Sequence, residues 1–132
     1  MKFNWEEYFT LAQDLIKTET NEAKQRASIS RAYYAAFCVA RNYLRDYHNE
    51  NPTRGENEHK FVADKFQSLA YIDPRMREIG NDLSRLRRER NQVDYNDLVL
   101  NLPNRTKLSL KFARNILNKI TELIQEIESK KT

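Results

Sequence analysis

The chain has 132 residues and a mass of 15.8 kDa, the size of one domain with one core. Its 2 Gly and 3 Pro are too few for the tight turns of a β-sandwich or barrel, and Gly55 and Gly80 cannot form a glycine-rich phosphate loop. Lys and Arg number 23 against 19 Asp and Glu, and the net charge of +4 permits an anionic partner without requiring one.

Helical spacing dominates along the chain. From Phe3 to Thr18, the residues Trp5, Tyr8, Phe9, Ala12, Leu15 and Ile16 recur at three- and four-residue steps and predict an amphipathic helix. Thr20 or Asn21 can cap a second and longest helix, reaching to about Tyr47. Its centre, Ala27 to Leu44, mixes alanines with Tyr33, Phe37 and Tyr43 on more than one face, so other helices should surround it. The stretch His48 to Glu56 is polar and carries Pro52 and Gly55, which reads as a loop. A third helix is expected from Asn57 to Ala70, with Phe61, Val62, Phe66 and Leu69 on one side.

Asp73-Pro74 marks the start of a fourth helix, a capping residue followed by proline in the first helical position. Met76, Ile79, Leu83, Leu86 and Val93 form its apolar stripe. Residues Asn96 to Pro103 read as a connection whose Leu98, Leu100 and Leu102 alternate as if lying along the bundle. The last helix is expected from about Arg105, through Leu108, Phe112, Ile116, Ile120, Leu123 and Ile127, and should fray over Ser129 to Thr132. The fold class is therefore all-α: an up-and-down antiparallel bundle of about five helices in one domain, residues 1–132.

Residues Met1–Phe9 lack a secretory apolar segment, and no apolar run approaches the roughly 20 residues of a membrane span. The expectation is a cytoplasmic protein with no membrane role. The single Cys38, between Phe37 and Val39, reads as a small buried residue. It leaves no internal disulfide and no cysteine-based zinc site, and separately no metal and no cofactor is expected.

One residue breaks the plain helical pattern. The stripe of the fourth helix steps from Ile79 to Leu83 to Leu86, and its next step lands on Arg90. An arginine on an apolar stripe needs a partner, because an uncompensated buried guanidinium costs several kcal/mol. Asp94 stands four residues on, on the same face, and can supply it. Around it, Arg75, Arg77, Arg85, Arg87, Arg88 and Arg90 face only Glu78, Asp82 and Glu89. Arginine suits planar, bidentate contact with phosphate. The basic residues of the last helix (Arg105, Lys107, Lys111, Arg114, Lys119) are spread out and read as solvated.

The stretch Ser28-Ile29-Ser30-Arg31-Ala32-Tyr33-Tyr34-Ala35-Ala36-Phe37, followed by Ala40-Arg41 and Leu44, resembles the signature helix of the HEPN (higher eukaryote and prokaryote nucleotide-binding) domain family. Arg90 to Asp94-Tyr95 matches the R-x3-D-Y that the family places near a later helix end, and His59 stands where it often has a histidine before an apolar helix. The resemblance implies a helical bundle that forms a homodimer. Many members are metal-independent ribonucleases of toxin–antitoxin or antiviral defence systems. They carry R-x4-6-H, in which the arginine holds the scissile phosphate and the histidine moves the proton of the 2′-hydroxyl. Others lack the histidine and bind nucleotides or a nucleotidyltransferase partner.

This chain departs from the nuclease pattern. Four to six residues beyond Arg90 lie Tyr95, Asn96 and Asp97, and the 2 histidines, His48 and His59, are distant in sequence. A carboxylate beside an arginine accepts protons weakly at neutral pH and repels an incoming phosphate, so Asp94 is a poor replacement. The expected function is RNA, nucleotide or nucleotidyltransferase binding through Arg85, Arg87, Arg88, Asn91 and Tyr95 around Arg90 and Asp94. Tyr95 can stack on a base or be modified, and is expected foremost to plug the core. The competing readings are a metal-independent endoribonuclease with a diverged site built from Arg90, Asp94 and His59, and a structural adaptor without catalysis.

Overall fold

The computed structural model describes residues 2–131, and among them five helices follow one another. These are α1 (Glu6–Asp14), α2 (Glu22–His48), α3 (Glu58–Ser68), α4 (Pro74–Tyr95) and α5 (Leu102–Ser129). Three helices start where a short polar side chain can accept an otherwise unpaired amide. Asn21 accepts from the Lys24 amide at 2.9 Å, Asn57 from the Lys60 amide at 3.2 Å, and Asp73 from the Arg75 amide at 2.9 Å. Each such cap is worth about 1 kcal/mol.

α1 and α5 differ from the sequence expectation, and α5, at 28 residues against 27, exceeds α2, which was expected to be the longest. α1 stops at Asp14, and Leu15 to Lys17 continue only as turns. α5 starts at Leu102, ahead of Pro103. Asn101, in the left-handed conformation at φ 57°, turns the chain, and a proline in the first turn removes no helical hydrogen bond. Of the three alternating leucines only Leu102 is buried; Leu98 and Leu100 face solvent. Leu108 is also half-exposed, because the inward line of α5 runs through Thr106, Ser109 and Ala113. At the other end α5 stays helical to Ser129, and Thr132 lies outside the described residues.

α2 packs against each of the other four helices, as the surrounded helix should. Ala32, Ala35, Ala36 and Ala40 are completely buried and let its neighbours come close, while Tyr33, Phe37 and Tyr43 fill the space between them. Ser28 donates a hydrogen bond across to the Ala12 carbonyl at 2.7 Å, so this polar group is buried with its partner. The main core adds Phe9 from α1, Val62 and Phe66 from α3, Met76, Ile79, Leu83 and Leu86 from α4, and Ile116, Ile120 and Leu123 from α5. Cys38 is buried among these, as expected. A smaller cluster of Ile29, Val93 and Leu102 closes the α4–α5 junction.

Two contacts fix α4 in place. α3 approaches so closely at Gly80 that an added Cβ would stand 2.8 Å from the Gln67 side chain and 3.1 Å from the Ala63 carbonyl. At the far end, Arg26 of α2 donates to the carbonyls of Val93 at 2.9 Å, Asn96 at 2.6 Å and Asp97 at 3.0 Å. The guanidinium thus occupies the carbonyls that a helix leaves open at its C-terminus, where a cation also meets the favourable end of the dipole. No helix among the described residues is long and apolar enough to cross a membrane.

Candidate functional site

α2, α3 and α4 enclose a cleft of about 250 Å³. Each helix lines it for a local reason. On α4 the three- and four-residue spacing of Ser84, Arg87, Arg88 and Asn91 presents one polar face. The start of α3, fixed by the Asn57 cap, brings in His59. Tyr33 and Phe37 of α2 form the apolar floor.

His59 is held on two sides. Its Nδ1 lies 2.5 Å from the Tyr33 hydroxyl, and its ring stacks on Phe37 with centroids 4.3 Å apart. Burial lowers its pKa below the ordinary 6.5, and the charges of Arg90 and Arg87 push it further down against a smaller opposing effect of Glu58. The imidazole is therefore neutral at pH 7. Burial likewise drives the Tyr33 phenol far above its ordinary 10, although Arg90 and Arg87 act in the other direction.

Arg90 is 7% exposed and stands behind the cleft, outside its lining. Its guanidinium packs over the rings of Tyr33 at 5.1 Å and Tyr34 at 5.4 Å, and donates to the Tyr34 hydroxyl at 3.4 Å. The Asp94 carboxylate is 4.0 Å away and also accepts from Ser30 at 3.4 Å. The expected Arg90–Asp94 pair therefore exists only at the outer limit of an ion pair, and the aromatic rings are the closer partners. The Arg90 Nε is buried without a hydrogen-bond partner.

The other expected site residues separate into two groups. Arg87, Arg88 and Asn91 line the cleft with His59. Arg87 is half-buried, its Nε meets no acceptor, and no carboxylate pairs with it; Arg88 is exposed and equally without an ionic partner among the described residues. Lys60 and Asp64 also border the cleft, but they neutralise each other at 2.8 Å. Arg85 instead turns towards α5, over the Phe112 ring at 5.5 Å and 3.7 Å from Asp82. Arg75 is engaged by Asp73 and Glu126.

Tyr95 is 75% exposed and does not plug the core. Val93, two residues earlier, takes the inward position, so Tyr95 follows Arg88 and Asn91 on the outer face of α4. Sequence reasoning also missed the partners that define the site: Tyr33 for His59, Tyr34 for Arg90, and Arg26 for the end of α4. The two tyrosines lay in the quoted motif, but nothing local marks which residue each one meets.

A neutral imidazole, two arginines without carboxylates and an amide around one cleft make an array suited to an oxyanion. The architecture of the described residues is that of an all-α bundle of five helices. The family model of the HEPN domain matches residues 6–129, and the chain belongs to that family. The uncharacterized protein MJ0628 of Methanocaldococcus jannaschii is 35% identical to it over 89 residues. That match spans 60% of this chain and 54% of that protein. No solved structure matches the chain significantly.

Proposed function

We propose that the protein binds the phosphate of RNA or of a nucleotide in the α2–α3–α4 cleft. The observation that carries this is the convergence of Arg87, Arg88, Asn91 and His59 on one cavity in which neither arginine has a carboxylate partner. In this reading Arg87 and Arg88 contact the phosphate and Asn91 donates a further hydrogen bond. Arg90 keeps Tyr33 and Tyr34 in place and raises the local positive potential, while Tyr95 offers a ring at the rim for a base. Arg85 has no direct part.

The binding should show as salt-sensitive anisotropy of a labelled single-stranded RNA, or as retention of AMP in equilibrium dialysis. The double variant Arg87→Ala/Arg88→Ala should lose about tenfold or more in affinity and flatten the salt dependence. Unchanged binding in that variant would remove the cleft from the reading.

A second reading, a metal-independent endoribonuclease, draws support from His59 alone, a neutral imidazole beside the arginines. Total RNA incubated without metal tests it. Cleavage that disappears in His59→Ala and Arg90→Ala, with the helical circular dichroism kept, would favour the enzyme. If nothing binds and nothing is cleaved, the adaptor reading remains.

Family membership supports the wider proposal: a homodimer in a toxin–antitoxin or phage-defence setting, acting beside a nucleotidyltransferase or another defence protein. Co-purification with the product of a neighbouring gene tests that setting.

A further inference from the structure

His59 has one ring nitrogen inside the protein and one in the cleft, and the inner contact determines what the outer one can do. Tyr33 is 1% exposed, and among the described residues its hydroxyl has His59 Nδ1 as its one hydrogen-bond partner. Had Nδ1 carried the proton, the phenolic proton would be buried with no acceptor. Donation from the hydroxyl to Nδ1 leaves neither group unsatisfied. A neutral imidazole whose Nδ1 accepts carries its proton on Nε2.

The ring has little freedom to escape this assignment. It is stacked on Phe37 with planes 25° apart, and turning it over would replace Nδ1 by a carbon and break the bond to Tyr33. Conversion to the imidazolium is opposed from α4 by Arg87 and Arg90, while Glu58 on α3 favours it less strongly; α2 presents only Tyr33, Tyr34 and Phe37. Nε2 has no partner among the described residues and is not one of the buried polar atoms left without one, so it meets the solvent of the cleft.

We propose that Tyr33 is a positioning residue that fixes His59 as the Nε2–H tautomer, so that His59 enters the cleft as a hydrogen-bond donor to a phosphate oxygen and not as a proton acceptor. The donor set then becomes uniform. Arg87, Arg88 and His59 Nε2 offer only N–H groups, which suits the acceptor-only oxygens of a phosphate ester. The role of His59 rests on the phosphate reading of the cleft; the role of Tyr33 does not. The Nε2–H tautomer also takes His59 away from an endoribonuclease as its base.

The test has two readouts. Long-range proton–nitrogen NMR of the free, full-length protein reports which imidazole nitrogen is protonated. The expected result is an acceptor-type Nδ1 and a protonated Nε2, unchanged between pH 6.5 and 8, with the preference lost in Tyr33→Phe. A protonated Nδ1 in the unaltered protein would overturn the proposal without any variant, even if Tyr33→Phe fails to fold. The second readout is AMP affinity by calorimetry. His59→Ala should lose about fivefold, and His59→Gln, whose amide can place an N–H near Nε2, should recover part of that loss. Equal affinity in His59→Ala overturns the donor role. If AMP does not bind the unaltered protein at all, the phosphate reading fails with it, and the NMR result still decides the role of Tyr33.

Discussion

Arg90 sits on the apolar stripe of α4 yet is held mainly by rings. Its guanidinium lies over Tyr33 and Tyr34, and its contact with Asp94, at 4.0 Å, is the weaker one. Arg90→Ala should therefore lower stability by about 2–3 kcal/mol, measured by chemical denaturation, while Asp94→Asn should cost under about 1 kcal/mol. The stripe made Arg90 legible in the sequence because burial on a helix follows local spacing. Its tyrosine partners were not legible, since the Tyr34 contact joins residues 56 positions apart. The histidines allow a second prediction. His48 and His59 both titrate below the ordinary 6.5, chiefly through burial. Between the folded values and 6.5 the unfolded chain binds more protons, so their contribution is full above about pH 6.5 and is lost as the pH falls. The melting temperature should drop from pH 7 to pH 5, and His48→Gln/His59→Gln should flatten that drop. Asp46 and Asp73, held low by hydrogen bonds from Arg45 and Arg75, act only further towards acid.

The starts of α2, α3 and α4 were legible because a cap is a local event: Asn21, Asn57 and Asp73 each bond an amide two or three residues on. Helix ends were less so. α1 has no cap signal to mark its stop at Asp14, and the α4 terminus is fixed from another helix. Arg26 was invisible as a cap because its acceptors are backbone carbonyls, which every residue carries alike. Three bonds from a charged, partly buried donor make it the strongest single tie between α2 and the α4–α5 junction. Arg26→Ala should cost about 2–3 kcal/mol and speed hydrogen exchange at the last turn of α4. Arg26→Lys should recover only part of this, since an ammonium cannot reproduce the planar fork. A variant as stable as the parent would show that solvent replaces the clamp.

At the scale of the molecule, composition was enough to exclude β architectures, and periodicity was enough to place α2 at the centre. The apolar residues left outside were not foreseen. Tyr95, Leu98 and Leu100 are each at least two-thirds exposed, close together in the chain at and just after the Arg26 clamp. For the proposed homodimer, Leu98 and Leu100 are the contact to test first, because the monomer leaves them uncovered. Leu98→Glu/Leu100→Glu should shift the protein to monomers in sedimentation velocity without altering its circular dichroism. An unchanged mass would assign the dimer contact to another face.

The clamp has a last consequence, in time rather than in energy. Arg26 meets carbonyls 67 to 71 residues further along the chain, so its bonds need α2 and the end of α4 side by side. The expectation is that such a contact forms after the folding transition state, with a φ-value near zero. In stopped-flow experiments Arg26→Ala should leave the folding rate nearly unchanged and raise the unfolding rate by about a hundredfold. The outer end of α4, with Asp94 and Tyr95, would then be the last part of the site to assemble and the first to come apart.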